Sequence, residues 1–337
     1  MGLLSHFSLL CFIGSLPGPP GVSIEDAYVQ LFPIDKGKCH GIDPVLDITF
    51  QLFTRYNPLQ PSSLRIDDEE SLRKSHFNFS EPTVIFFHAF FESYQSTPGR
   101  LIRTAFLQRK DYNVLFVDAQ RLEAGPWYLT AAKNTMVVGK YTAKFVDYLV
   151  SKGLHLPSLH LTGLSLGAQM AGVCAQTVKS GRIRRITGMD PAGPLFAKWP
   201  NDVKLDAGDA DFVDVIHSDA GIFGYPTSVG HVDFWPNRGI APQPGCTVKE
   251  IEARNPGSLI EPLFCSHWRS YQFFAESVIN PDAFRDATPC PTWENYIRGE
   301  CNNFEYGPTT SMGLYVDFEA RGDYFLKTNR ESPFSKT

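Results

Sequence analysis

The chain has 337 residues, 43% of them hydrophobic and 20% charged, with a formal net charge of −5. That composition suits a globular domain with a sizeable core, and one large domain or two modest ones fit the length. No Lys/Arg-rich run offers a nucleic-acid groove or a polybasic membrane patch, and no apolar run reaches the roughly 18 residues that cross a bilayer.

Residues Leu3–Leu16 are mostly apolar, lack Lys, Arg, Asp and Glu, and run into the Pro/Gly-rich stretch Pro17–Gly21. This reads as a secretory signal over residues 1–22, the alternative being a disordered or buried N-terminal segment; residues 23–337 then form a single domain. Removing the signal takes Cys11 with it and leaves six of the seven cysteines, an even number that suits disulfides in a secreted protein. None of them forms a C-x-x-C pair, so zinc and thioredoxin chemistry find no support. Asn78-Phe79-Ser80 is a glycosylation sequon.

The segment Val45–Thr54 alternates as an antiparallel edge strand does. Thr83–His88 and Asn113–Val117 are continuous apolar runs, as buried strands are. Val137, Tyr141, Phe145 and Leu149 then recur every four positions, one face of an amphipathic helix between Ala131 and Lys152. A strand over Leu159–Leu164 runs directly into a helical stretch, Leu166–Lys179. A further strand passes through Ile186 and ends at Asp190-Pro191, followed by a strand over Asp211–Ile216 and a helix over Ser266–Ile279. Strand alternating with helix predicts an α/β fold, a mostly parallel central sheet with helices on both faces. The residues beyond Cys301 are too few for a second independent domain.

At the junction of the fifth of these segments and its helix stands Gly163-Leu164-Ser165-Leu166-Gly167, a G-x-S-x-G sequence. A tight glycine turn with an incidental serine would look the same in isolation. Between an apolar strand and a helix, however, it is a nucleophile elbow: small residues let the chain turn sharply and present the serine at the carboxyl end of the sheet. A serine nucleophile needs a base, and the base an orienting carboxylate, in the chain order Ser, Asp, His. Asp190, ending the next strand, is the candidate acid. His217, His231 and His267 all follow it, and spacing alone leaves the choice open. The oxyanion hole requires two backbone N–H groups: Leu166, after the nucleophile, and Phe90, in the loop after the Thr83–His88 strand.

Taken in order, these motifs resemble the pancreatic lipase family, in particular its short single-domain insect-like members and phospholipases A1. The likeness spans residues 28 to 320. It rests on the elbow, on Met189-Asp190-Pro191, on the stretch from Asp209 to Asp219, on Gly230-His231-Val232-Asp233 and on Cys265-Ser266-His267-Trp268. The resemblance implies an α/β-hydrolase fold, His267 as the base, and structural roles for His217 and His231. It implies disulfides Cys246–Cys265, at the base of a lid, and Cys290–Cys301, and leaves Cys39–Cys174 as the third. It also implies a structural calcium, with Asp206 and Asp209 matching carboxylate ligands and Asn201 and Lys204 matching carbonyl positions; the alternative is a solvated acidic turn. No other cofactor is expected.

Two residues depart from the family pattern: Ala89 stands where Gly is usual, and Leu164 where His is commoner. A C-terminal β-sandwich is not expected, nor is dependence on colipase. The expected activity is a secreted triacylglycerol lipase acting at a membrane or droplet interface. Ile251, Leu259, Ile260, Leu263 and Phe264 offer an apolar lid surface, while the short rim loop, Ala220–Val229, favours phospholipase A1 on the same site. A lipid-binding or yolk-type protein that has lost activity is the alternative of another class.

Overall fold

A computed structural model describes residues 42–109, 111–124, 128–301 and 306–336. The expected signal segment and Cys39 lie outside them. Among these described residues ten strands form one sheet in the order β2-β1-β4-β3-β5-β6-β7-β8-β10-β9. The strands are β1 (Thr49–Phe53), β2 (Ser62–Leu64), β3 (Thr83–Phe87), β4 (Asn113–Asp118), β5 (Leu159–Leu164), β6 (Ile183–Met189), β7 (Ala210–Ile216), β8 (Val232–Pro236), β9 (Thr288–Pro289) and β10 (Gly322–Leu326). From β4 across to β10 the pairing is parallel; β1, β2 and β9 join antiparallel at the two sides. The major helices are α1 (Thr97–Gln108), α2 (Tyr128–Ser151), α3 (Leu166–Thr177), α4 (Val248–Arg254) and α5 (Glu261–Ile279).

Every residue of β3 is buried, as a strand covered on both faces must be. Its period of two sends Ile85 and Phe87 into the core beneath α2 and α3, and Val84 and Phe86 into the core shared with α1 and α5. Small residues bring the first pair of helices close. A Cβ added at Gly139 of α2 would lie 2.7 Å from the Val173 Cβ and 2.8 Å from the Met170 carbonyl oxygen of α3.

Two features differ from the sequence reading. The Val45–Thr54 segment begins as a helical turn, Pro44–Asp47, because Asp43 caps it by accepting the Val45 N–H. Its strand, β1, is not the edge, since β2 pairs outside it. The helix that carries His267, α5, begins at Glu261-Pro262 with proline in its first turn, ahead of the expected start at Ser266.

The chain order reverses between β3 and β5: β4 is laid on one side of β3 and β5 on the other. At such a switch point the loops leaving the carboxyl ends of the two strands diverge and open a crevice. Here those loops are the Phe90 loop and the Ser165 turn, with Phe87 paired to Gly163.

Candidate active site

Ser165 caps α3 with φ 55° and ψ −116°, a conformation an L-residue adopts only under constraint. The constraint is visible on both sides. A Cβ at Gly163 would overlap the Gly167 carbonyl, and one at Gly167 would overlap the Phe87 carbonyl, so only glycine permits the turn. The Ser165 N–H donates to Met189 O at 3.0 Å, and its carbonyl accepts from Ala192 N–H at 3.1 Å. The turn is thereby tied to the residues flanking Asp190.

Asp190 is fully buried and well held. Its Oδ1 accepts the N–H groups of Ser218 (2.8 Å) and Asp219 (3.1 Å), and its Oδ2 lies 2.5 Å from His267 Nδ1. Of the three histidines, His267 alone meets the predicted acid. His217 is buried against Asp233 (2.7 Å) and stacked on Trp235 with ring centroids 3.8 Å apart, while Asp233 also accepts the Val229 and Gly230 N–H groups. That pair braces a loop. His231 precedes the amino end of β8, and its Nδ1 accepts the Val213 N–H.

The oxyanion side is equally specific. Around the β3 loop, Ala89 N–H donates to Glu92 Oε2 (3.1 Å), Phe91 N–H to Glu123 O (2.9 Å) and Glu92 N–H to Ala89 O (3.2 Å). His88 Nδ1 lies 2.8 Å from the Ala89 carbonyl, while its Nε2 accepts the Ala119 N–H; the ring is therefore neutral and donates through Nδ1. This bond fixes the Ala89–Phe90 peptide. The N–H groups of Phe90 and Leu166 make no hydrogen bond with any described residue.

Two acids that the sequence reading gave no role stand beside the imidazole. Asp219 is buried with no hydrogen-bond partner of good geometry for either carboxylate oxygen, and it, Asp190 and His267 offer polar atoms within 4.8 Å of one another. Burial, and then the charge of Asp190, push Asp219 up to about 7. Part of Glu92 reaches the surface, yet the protein crowding its carboxylate pushes it up to about 7 as well. For His267, burial pulls downward, but the hydrogen bond and charge of Asp190, then the charges of Asp219 and Glu92, outweigh it; the net shift is upward.

Over the imidazole, Phe223 of the rim loop stacks on Phe264 at 4.7 Å and tilts against the His267 ring at 5.9 Å. The lid segment is anchored by Cys246–Cys265, and Ile251 of α4 packs on that bridge. Of the apolar lid residues, Ile251 therefore points inward, whereas Leu259 (74% exposed) and Leu263 (51%) face solvent. Cys290–Cys301 is also formed. Cys174, whose expected partner Cys39 lies outside the described residues, is a free thiol wholly buried in α3 among apolar side chains, where burial pushes its pKa far up. Asn201, Lys204, Asp206 and Asp209 lie together in the loop before β7, where the Asn201 and Lys204 carbonyls and one carboxylate oxygen each of Asp206 and Asp209 accept from protein donors.

The lipase family model matches residues 38–334. Pancreatic lipase-related protein 2 of Bos taurus is 35% identical over 312 residues, covering 86% of this chain and 65% of its own length. Lipase member H of Xenopus tropicalis is 36% identical over 289 residues (84% and 60%), and inactive pancreatic lipase-related protein 1 of Homo sapiens 32% over 306 residues (85% and 64%). This chain thus spans just under two thirds of the length of these relatives. By its sequence, it belongs to the lipase family.

Proposed function

We infer that the chain is a secreted serine esterase of lipids, acting on triacylglycerol through Ser165, His267 and Asp190. The observation that carries this reading is the Asp190–His267 hydrogen bond beside the strained Ser165 turn, at the crevice where the Phe90 and Leu166 N–H groups are left without acceptors. In the reaction, His267 takes the Ser165 hydroxyl proton as the oxygen attacks the ester carbonyl. Asp190 holds the imidazole by Nδ1 and stabilises the imidazolium. The Phe90 and Leu166 N–H groups receive the oxyanion, and the imidazolium then returns its proton to the leaving alcohol. Water, deprotonated by the same imidazole, cleaves the acyl-enzyme.

Exposed Leu259, Leu263 and Ile222 favour a lipid surface over a soluble ester, and the Phe223–Phe264 pair must part for an acyl chain to reach the serine. Two disulfides suit an oxidising compartment, and Asn78 is exposed as a glycosylated side chain must be. The tight rim loop, with the Ile222 and Gly224 N–H groups both folded onto Asp219 O, favours phospholipase A1 as the second reading.

The test is fatty-acid release from triolein and from phosphatidylcholine by the full chain and by Ser165→Ala. Release from triolein that the variant abolishes supports the triacylglycerol reading. Release from phosphatidylcholine alone moves the assignment to phospholipase A1. A folded protein that hydrolyses neither would replace the esterase by the lipid-binding alternative.

A further inference from the structure

The loop that would carry the family's calcium is closed here by a different group. Its carbonyls at Asn201 and Lys204 and the Asp209 Oδ1 all converge on one nitrogen, the side-chain Nε2 of Gln176 in the last turn of α3, at 3.1, 3.1 and 2.8 Å. Those are N–H···O lengths, whereas calcium draws oxygens in to about 2.3–2.6 Å. Turning the amide over would set its oxygen against three acceptors with no donor among them. Asp206 does not join the group: its Oδ1 accepts the Gly208 N–H at 2.6 Å, and its own N–H donates to Asp209 Oδ2 at 2.9 Å, a closed capping box. Of the carboxylate oxygens expected to bind a cation, both of Asp209 and the Oδ1 of Asp206 thus accept from backbone or amide donors.

Neighbouring contacts repeat the theme. One helix face up from Gln176, Gln169 accepts the Leu205 N–H (2.7 Å) and donates to the Ala192 carbonyl (2.8 Å). Arg182 donates to the Gly208 and Ala210 carbonyls at 2.8 and 2.7 Å. Helix and loop touch directly, since a Cβ at Gly172 would come within 2.8 Å of Leu205 Cα and of Asp209 Oδ2.

We propose that Gln176 holds the 201–209 loop in place of a divalent cation, so that the fold of this chain does not depend on calcium. The amide supplies two hydrogens to three oxygens, the carboxylate taking the shortest bond and the carbonyls sharing the remainder. With an amide nitrogen placed among these oxygens, the loop as folded does not fit the metal that the family resemblance implies.

The experiment is a thermal melt of the full chain in EDTA and in millimolar calcium chloride, with calorimetric titration of calcium into the EDTA-treated protein. Gln176→Glu, which keeps the shape and replaces the donor by a fourth acceptor, is melted alongside. The expected result is an unchanged wild-type Tm, no saturable heat, and a variant Tm in EDTA lowered by roughly 3 °C or more. A wild-type protein stabilised by calcium, or one that binds it saturably, would overturn the proposal; so would a variant as stable as wild type in EDTA. Neither readout involves ester hydrolysis, so an inactive, calcium-indifferent protein would count against the proposed function alone.

Discussion

Gly224 touches the proposed catalytic machinery without belonging to it. A Cβ built there would stand 2.7 Å from both Cγ and Oδ2 of Asp190, and closer still to Oδ1. Ordinary contact begins near 3.4 Å, so Gly224→Ala demands a relative displacement of about 0.7 Å or more. The rim loop resists it, because Gly224 N–H is bonded to Asp219 O and its carbonyl accepts the Gly221 N–H. The carboxylate therefore moves, and it cannot rotate freely while Oδ1 holds the Ser218 and Asp219 N–H groups. A misplacement of about 1 Å in a catalytic constellation costs about 100-fold, so a fall in kcat of roughly 10- to 100-fold is expected. That corresponds to about 1.4–2.7 kcal/mol in the barrier. The assay is steady-state hydrolysis of p-nitrophenyl butyrate, a soluble ester that removes interfacial effects, with a thermal melt to show that the variant is folded. A folded Gly224→Ala protein within twofold of wild-type kcat would refute the reasoning, since the imidazole would then be working without Asp190 in this position.

Asp219→Asn removes a charge that raises the His267 pKa; because the neutral imidazole is the base, the acid limb of the kcat/KM–pH profile is expected to move to lower pH, and an unmoved limb would deny the two groups any coupling. Replacing Cys246 and Cys265 together by serine opens a crosslink of sequence separation 19; loop entropy puts the loss at about 3 kcal/mol in denaturant unfolding, and a loss under about 1 kcal/mol would mean the segment is ordered without it. Glu92→Ala removes the acceptor of the Ala89 N–H and should lower kcat by roughly tenfold with KM little changed, whereas Glu92→Gln, which keeps an acceptor, should retain most of it. The folded Glu92 pKa is raised from 4.5 to about 7, so its contribution to stability is full below about 4.5 and lost as pH rises through about 7; the stability advantage of wild type over Glu92→Gln should shrink across that window, and a pH-independent difference would contradict it.

The sequence made the strand–helix alternation legible because parallel strands buried on both faces are unbroken apolar runs: β3, β4, β5 and β7 lie within about a residue of where those runs place them. β2, β8, β9 and β10 had no comparable signal. β10, Gly322–Leu326, is exposed at one end and follows a long irregular stretch, and only pairing with β8 makes it a strand. Ser165 and Asp190 stood out in the sequence because the roles proposed for them demand special backbone, a glycine-flanked turn and a strand end before proline. His267 was not readable from spacing, since Asp233 gives His217 a carboxylate too, and only three-dimensional proximity separates a catalytic pair from a bracing one. Glu92 and Asp219 escaped notice for a related reason: an acid four residues past a histidine, or three past a strand, looks like any loop acid until the fold brings it beside the imidazole. Gln176 is the plainest case, an amide near a helix end whose importance depends wholly on the oxygens the loop brings to it.

The departures at Ala89 and Leu164 bear on whether the proposed set of catalytic residues works. Ala89 is not among the residues with positive φ; the strained position in that loop is Phe91, at 67°. The Ala89 methyl is buried in the apolar cluster on the α1 and α5 face, and Leu164 is buried in the same cluster. Both are packing substitutions, and neither takes the Phe90 or Leu166 N–H away from the crevice. Ala89→Gly should therefore leave kcat on p-nitrophenyl butyrate within about threefold, far short of the 100-fold or more that follows when an oxyanion donor is lost or gained. The same change should destabilise the protein by about 1–2 kcal/mol, through the lost methyl burial and the added freedom of glycine in the unfolded chain. A rise in kcat of tenfold or more would show instead that the methyl crowds the oxyanion site, and that this chain has traded part of its catalytic rate for a better-packed loop.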